Sequence, residues 1–427
     1  VAARSIAFPV ALVALPNVLV GLVGSNPFPR GAVVAFMFAW TLLAILIELI
    51  REPGNLGSWI AGPVLLTVAL AVLMVARLGA SADGDYGGRK LLLFCTANLT
   101  LLVAASLIGR TARHFDLFVF LMFAVAVASA IVLLRAFVAG SPEEIFDGRF
   151  ALSTEENPIE LGRRSAIGII LGVYVLLAAR TVWPRVVALG LLPLLGVALI
   201  AAGTRGPVLG LAVGLLLFVL LTLRDPATRR RLLLLVAAGF GAALLVPELV
   251  PGQTIERAAS LLLSGGAGLS SNGRFELWSQ ARDIFVDHPF LGIGTGGFAA
   301  ASPEFVYPHN LWLEVAVELG LLGLLLLAAT LVYATVRIVG ACLEADGEGR
   351  SRIALVVALL AMALSNSLLS GDITTNRDVW LTLGLGVGLA ASASAQRRAD
   401  SSAGRWPVWL APLPTAPRDG LRRRTLP

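Results

Sequence analysis

Gly206–Leu223 reads GPVLGLAVGLLLFVLLTL, eighteen consecutive residues without a charged side chain. A helix of that length rises about 27 Å, close to the thickness of a bilayer's hydrocarbon core. Residues 353–369, IALVVALLAMALSNSLL, form a second uncharged stretch, and comparable apolar runs recur from end to end. Of the 427 residues 57% are hydrophobic and 14% charged, with a mean hydropathy of +0.85. Soluble domains carry about 25% charged residues, so this chain cannot clothe an aqueous surface. The fold class that follows is all-α, a polytopic transmembrane bundle of about twelve helices.

Apolar runs place the helices near 6–24, 31–50, 58–78, 91–109, 115–139, 165–180, 184–202, 206–223, 232–250, 309–336, 353–370 and 379–395. Arg180, Pro184 and Arg185 interrupt the 165–202 region. Residues 1–395 thus make one helical membrane domain, and 396–427 an Arg-rich, disordered tail. The basic loops at Arg224–Arg231 and Arg337–Arg352 and this tail share one side when twelve spans are counted. By the positive-inside rule that side is the cytoplasm, with both termini there. The same topology explains the net charge of +6 without nucleic acid, since the basic residues occupy short loops. Lys90 is the single lysine, and Val1 at the start is what a GTG codon or a trimmed terminus would leave. Cys95 and Cys342 offer no paired spacing for zinc or redox chemistry.

Three longer segments face outward on this count: 79–90, 140–164 and 251–308. In the last, Arg274–Val286 (RFELWSQARDIFV) reads as an amphipathic helix with Leu277, Trp278, Ala281, Ile284 and Phe285 on one face. Ser271 or Asn272 would cap it and His288-Pro289 would end it. Its aromatic face suits the membrane interface, and Arg274 shares that stripe. Gly292-Ile-Gly-Thr-Gly-Gly297 formally matches G-x-G-x-x-G, but a dinucleotide site needs a strand before it and a helix after it. A turn permitting close backbone approach is expected instead.

His309 opens the next span in Tyr307-Pro-His-Asn-Leu-Trp-Leu-Glu314, with Glu314 and Glu318 within two turns. A neutral imidazole at an aqueous membrane pocket can take a proton near pH 7. No second His or Cys shares its neighbourhood, so no metal site is expected, and no cofactor. Arg205, in Gly203-Thr-Arg-Gly-Pro207, and Arg377, in Ser370-Gly-Asp-Ile-Thr-Thr-Asn-Arg377, occupy outward turns. Arg149, Arg163 and Arg164 fall in the 140–164 loop. Arginines concentrated outward call for something anionic, and guanidinium forks suit phosphate oxygens. The bland alternative is that lipid headgroups and Glu143, Glu144, Glu155, Glu156 and Asp372 satisfy them.

Together, GRFELW, DHPFLGIGTGGF and HNLWLEVAVELGLLG in Asn272–Gly323 resemble the signature of the O-antigen ligase and polymerase superfamily. His309-Asn310 followed by Gly320-x-x-Gly323 is its most specific part. The TRGP turn, NPIELGR at Asn157–Arg163 and GDITTNRDVW at Gly371–Trp380 are similar as well; the first 140 residues match in hydropathy alone. The resemblance implies a membrane glycosyltransferase of the GT-C type that works without a metal. Such an enzyme moves a glycan from undecaprenyl pyrophosphate to an acceptor on the periplasmic side. Carried across, Arg205 and Arg274 would bind the donor diphosphate and His309 would orient or deprotonate the acceptor hydroxyl. Arg163, Arg377, Asn310, Glu314 and Trp278 would complete the substrate site. The acceptor would be a lipid A-core sugar in a ligase or a second lipid-linked glycan in a polymerase, with membrane lipids around both. From a different class, a flippase or transporter of lipid-linked glycans would place charge along a path through the bilayer. Here Glu48 and Arg135 lie near helix ends, and the outward rim holds the charge.

Overall fold

The structure, a computed structural model, describes residues 30–51, 62–138, 143–146, 149–151, 158–223, 231, 274–302 and 305–403. Two expected spans, 6–24 and 232–250, and most of loop 251–308 before Arg274 lie outside them, as do the capping residues Ser271 and Asn272. The described chain is helical apart from one two-stranded ribbon, β1 (Glu143–Phe146) and β2 (Arg149–Ala151), paired antiparallel.

The helices are α1 (Arg30–Arg51), α2 (Pro63–Ala76), α3 (Gly84–Leu93), α4 (Thr100–Gly109) and α5 (Ala112–Val138). They continue with α6 (Pro158–Ala178), α7 (Val182–Ala201), α8 (Arg205–Thr222), α9 (Arg274–Asp287), α10 (Gly297–Ala301), α11 (Leu311–Glu344), α12 (Gly347–Ser367) and α13 (Arg377–Ala403). A π-helical turn, Phe94–Leu99, joins α3 to α4 into one rod. Among the described residues, eight helical segments are long and apolar enough to cross a membrane. Helix α12 is not one of the eight; Glu348, Arg350 and Arg352 occupy its first turns, and its apolar run from Ile353 to Ala363 is largely buried.

Helices α8 and α11 show why lipid must cover the bundle. Leu209, Leu216 and Leu220 share one face of α8, and Leu325, Val332 and Val336 one face of α11, each more than half exposed. Facing water, such stripes would be a large unpaired apolar surface. The inward faces pack closely. Gly206, Gly210 and Gly214 recur at helical spacing, and a Cβ on Gly214 would stand 2.8 Å from the Ala358 carbonyl oxygen. Small residues at that spacing let α8 lie directly against α12, which fixes where α8 begins.

Four sequence expectations change. Arg163 and Arg164 were expected in an outward loop, but α6 starts at Pro158 and both are about 3% exposed. Their polarity lowers local hydropathy, yet Ser370 and Asn376 accept from Arg163 and Ser129 from Arg164 across the bundle. Lys90 likewise lies inside α3 at 2% exposure and not in a loop. The span expected as continuous over 309–336 is broken: Gly320 has φ 65° and ψ −160° in the midst of α11. Finally, α13 runs to Ala403, eight residues into the stretch expected to be a disordered tail.

Candidate functional site

The break in α11 decides how the site is built. A non-helical Gly320 leaves the carbonyls of Val317 and Glu318 and the amides of Leu321 and Leu322 without helical partners. The DHPFLGIGTGGF segment supplies them. Ile293 N donates to Val317 O at 2.9 Å and Gly294 N to Glu318 O at 3.0 Å. In return Leu321 N donates to Pro289 O at 2.7 Å and Leu322 N to Phe290 O at 3.3 Å. A Cβ on Gly292 would lie 2.4 Å from the Val317 carbonyl oxygen, and one on Gly320 would lie 2.3 Å from the Phe290 carbonyl carbon. The glycine run is therefore a close-approach strip that seals a broken helix. Arg77 holds its other edge, donating to the carbonyls of Leu291 at 3.1 Å and Gly292 at 3.0 Å.

The half-helix Leu311–Leu319 so created carries His309 just ahead of its N-terminus. Asn310 caps it, its Oδ1 accepting from Trp312 N at 3.0 Å and Leu313 N at 3.2 Å, while its Nδ2 donates to Leu368 O at 3.1 Å. His309 itself has φ 54°, the single described residue other than glycine with positive φ. That conformation costs a non-glycine residue about 1 kcal/mol or more and gathers at functional sites. The imidazole stands edge-on to Tyr307, ring centroids 4.6 Å apart, and to Phe305 at 5.6 Å. Its Nδ1 is buried without a hydrogen-bond partner. Burial first, then the Arg274 cation, pull its pKa below the ordinary value, against an opposing pull from Asp372. The imidazole is therefore neutral at pH 7. Burial likewise pushes the Tyr307 hydroxyl up to about 12.

Helix α9 brings Arg274 to this end. Its Leu277 and Ala281 are buried with Phe298 and Val317, with Trp278, Ile284 and Leu313 packed around them. The apolar stripe expected at the membrane interface thus docks on α10 and the half-helix instead, leaving Phe275 and Val286 exposed. Trp278 Nε1 donates to Pro308 O at 3.1 Å, pinning the segment before His309. Burial lowers the Arg274 pKa.

The arginines at this end divide by how they are partnered. Arg163 donates to Ser370 O at 3.1 Å and Asn376 Oδ1 at 3.3 Å and lies 3.5 Å from Glu160, while its Nε is left without a partner. Arg377 Nε is also buried and unpartnered. Arg205 starts α8 beside Thr204, whose buried Oγ1 lacks a partner and faces Gly162. Gly206, the next residue, lies against Asn366 and Leu369. Arg205 and Arg274 form no ion pair or hydrogen bond among the described residues. At the opposite end arginines are matched with acids: Arg352 with Asp116 at 2.9 Å, Arg180 with Glu348 at 2.5 Å and Arg397 with Glu344 at 2.8 Å. A guanidinium beside a neutral imidazole, as Arg274 stands to His309, can receive an anion and a proton.

Arg163 and Asn310 are tied to the segment from Leu368 to Asn376 that leads into Arg377, Trp278 to the segment before His309, and Arg274 acts on His309; Arg205 approaches this end through its neighbours Thr204 and Gly206. Glu314 stands apart in character: it is 1% exposed and ion-paired with Lys90. Lys90, Tyr307, Thr204, Asn366 and Asn376 were not read as site residues. A sole lysine against an apolar run was the available signal for the first; the others gave none.

Residues 189–328 match the family model described as O-antigen ligase. The resemblance is to the O-antigen ligase and polymerase family. That match runs from within α7 through α8, α9 and α10 to Ala328 in α11, and so includes Arg205, Arg274 and His309. The chain is 33% identical over 152 residues to the O-antigen ligase of Pseudomonas aeruginosa PAO1, covering 34% of this chain and 32% of that one. It is 28% identical over 227 residues to the exopolysaccharide production protein ExoQ of Rhizobium meliloti 1021, covering 49% of each. The chain thus spans half or less of the curated relatives it matches.

Proposed function

We propose that this protein is an O-antigen-ligase-like glycosyltransferase of the bacterial inner membrane, transferring a glycan from undecaprenyl pyrophosphate to an acceptor on the periplasmic side. The observation that carries this is that Arg205 and Arg274, which form no ion pair among the described residues, stand at the same end as a half-buried His309 with φ 54°. The likeness to a ligase and to an exopolysaccharide production protein supports the reaction class.

The chemistry follows from those groups. The acceptor hydroxyl attacks the anomeric carbon as the bond from that carbon to the phosphate oxygen breaks. The hydroxyl proton passes to the free nitrogen of His309, and the electron pair leaves with the lipid diphosphate. Positive groups held in a low-dielectric site meet the charge that grows on the leaving oxygen. Arg163 and Arg377, through their unpartnered Nε atoms, extend the cradle. Neither metal nor cofactor enters this scheme.

A polymerase, with a second lipid-linked glycan as acceptor, is the alternative, kept in view by the likeness to an exopolysaccharide production protein. The test uses purified protein in lipid with an undecaprenyl-pyrophosphate glycan and each acceptor, with and without EDTA. Arg205→Ala should lower transfer by about 10²–10³, by analogy with loss of one oxyanion donor. Undiminished transfer by that variant, or movement of the lipid-linked glycan across the bilayer with no new glycosidic bond, would overturn the proposal.

A further inference from the structure

Behind the half-helix lies a buried charge cluster that the transfer chemistry does not use. Lys90 Nζ sits between two carboxylates, in contact with Glu314 Oε1 and 2.6 Å from Glu318 Oε1, all at 3% side-chain exposure or less. Each carboxylate keeps its second oxygen for a backbone amide. Glu318 Oε2 accepts from Gly296 N at 2.9 Å, tying the glycine strip to the half-helix. Glu314 Oε2 accepts from Ile373 N at 2.7 Å.

The second of these bonds joins the two halves of the site. Glu314 stands one turn after Asn310, whose carbonyl accepts from Glu314 N at 3.0 Å, so its backbone moves with His309. Ile373 lies in the turn between α12 and α13 that carries Ser370 and Asn376, the partners of Arg163, and leads into Arg377. The Ile373 carbonyl is itself held from below by Asn98 Nδ2 at 2.6 Å and Trp380 Nε1 at 3.2 Å. We propose that Glu314 is a positioning residue: its carboxylate oxygen, through the Ile373 amide, sets the distance between the His309 half-helix and the arginine-bearing turn. Lys90 offsets the carboxylate's burial and leaves its second oxygen aimed at Ile373. This rests on the transferase reading above and gives Glu314 a task other than touching substrate.

The geometry selects the variants. Removing Lys90 strands two buried carboxylates, which destabilises for reasons unrelated to position. Glu314→Leu instead leaves one Lys90–Glu318 pair and removes the acceptor. Glu314→Gln removes the charge but keeps an oxygen for Ile373 N.

Two measurements test the proposal on the full chain in lipid nanodiscs. In amide hydrogen exchange, the 371–376 turn should remain protected in Glu314→Gln and lose protection in Glu314→Leu. In transfer assays with an undecaprenyl-pyrophosphate glycan, Glu314→Leu should lower kcat on the order of 10- to 100-fold, the usual penalty for misplacement by about 1 Å. Donor KM should stay within about threefold, and Glu314→Gln should recover most of kcat. Equal loss in both variants, or unchanged exchange in Glu314→Leu, would overturn it. So would a fall in folded protein with unchanged kcat per folded molecule. Full transfer by Arg205→Ala would instead sink the transferase reading; the exchange result stands apart from that outcome.

Discussion

Gly320→Ala is the sharpest perturbation of this architecture. At φ 65° and ψ −160°, Gly320 occupies a backbone region almost restricted to glycine, so alanine there costs about 1–3 kcal/mol before any contact is counted. Its Cβ would also lie 2.3 Å from the Phe290 carbonyl carbon and 2.5 Å from Leu291 N, both backbone atoms that no rotamer can move aside. Relief requires the 289–294 strip to retreat, and four backbone hydrogen bonds cross that junction. At about 1 kcal/mol net for each, losing half of them adds about 2 kcal/mol. The expected destabilisation is about 3–5 kcal/mol, with increased amide exchange concentrated in 289–297 and 317–322. Thermal unfolding in detergent and exchange by mass spectrometry read the two effects. A Gly320→Ala protein with wild-type melting and wild-type protection of the strip would refute the claim that this junction is a sealed helix break.

The other predictions concern charge near His309. Burial, and then Arg274, depress the His309 pKa while Asp372 opposes them, so the neutral base should persist below the usual histidine range and transfer should survive mild acid. Removing the cation in Arg274→Gln should lower kcat and move the acid limb of the pH–rate profile to higher pH; a limb that stays put or moves down would exclude that coupling. Arg163→Ala breaks bonds to Ser370 and Asn376 as well as opening the cradle, so donor KM should rise and the melting temperature fall together. An effect on kcat alone would place Arg163 closer to the reacting atoms.

Much of the bundle was legible because a membrane span carries its own signal, and uncharged runs such as 206–223 need no partner to be recognised. Hydropathy failed where burial depends on distant partners. Arg163 reads as a loop residue until Ser370 and Asn376, more than two hundred positions away, are seen to accept from it. Lys90 was noticed as the single lysine, yet nothing local announces Glu314 and Glu318 as its partners. The glycine run follows a helix, α9, where a dinucleotide fold needs a strand. Its task stayed hidden because a Gly-x-x-Gly in a membrane helix ordinarily signals close helix packing, not a break that needs a second segment to satisfy it.

The distribution of unmatched charge argues for a one-sided site over a conduit. A carrier must offer its anionic cargo favourable groups along the whole path, because an uncompensated charge in hydrocarbon costs several kcal/mol. Beneath the His309 end, between α5, α6, α12 and α13, the interior is lined by Phe115, Phe118, Met122, Ile167, Leu359 and Leu381, with Asp378 and Thr382 among its few polar neighbours. At the far end Arg352, Arg180 and Arg397 are matched with Asp116, Glu348 and Glu344, while Arg185 and Arg350 donate to backbone carbonyls. A diphosphate attracted to Arg205 and Arg274 would therefore meet a largely apolar floor, where the buried Arg164 is already engaged with Ser129 Oγ at 3.3 Å and with the charge of Asp378, which suits a substrate that reacts where it binds and leaves by the side it entered.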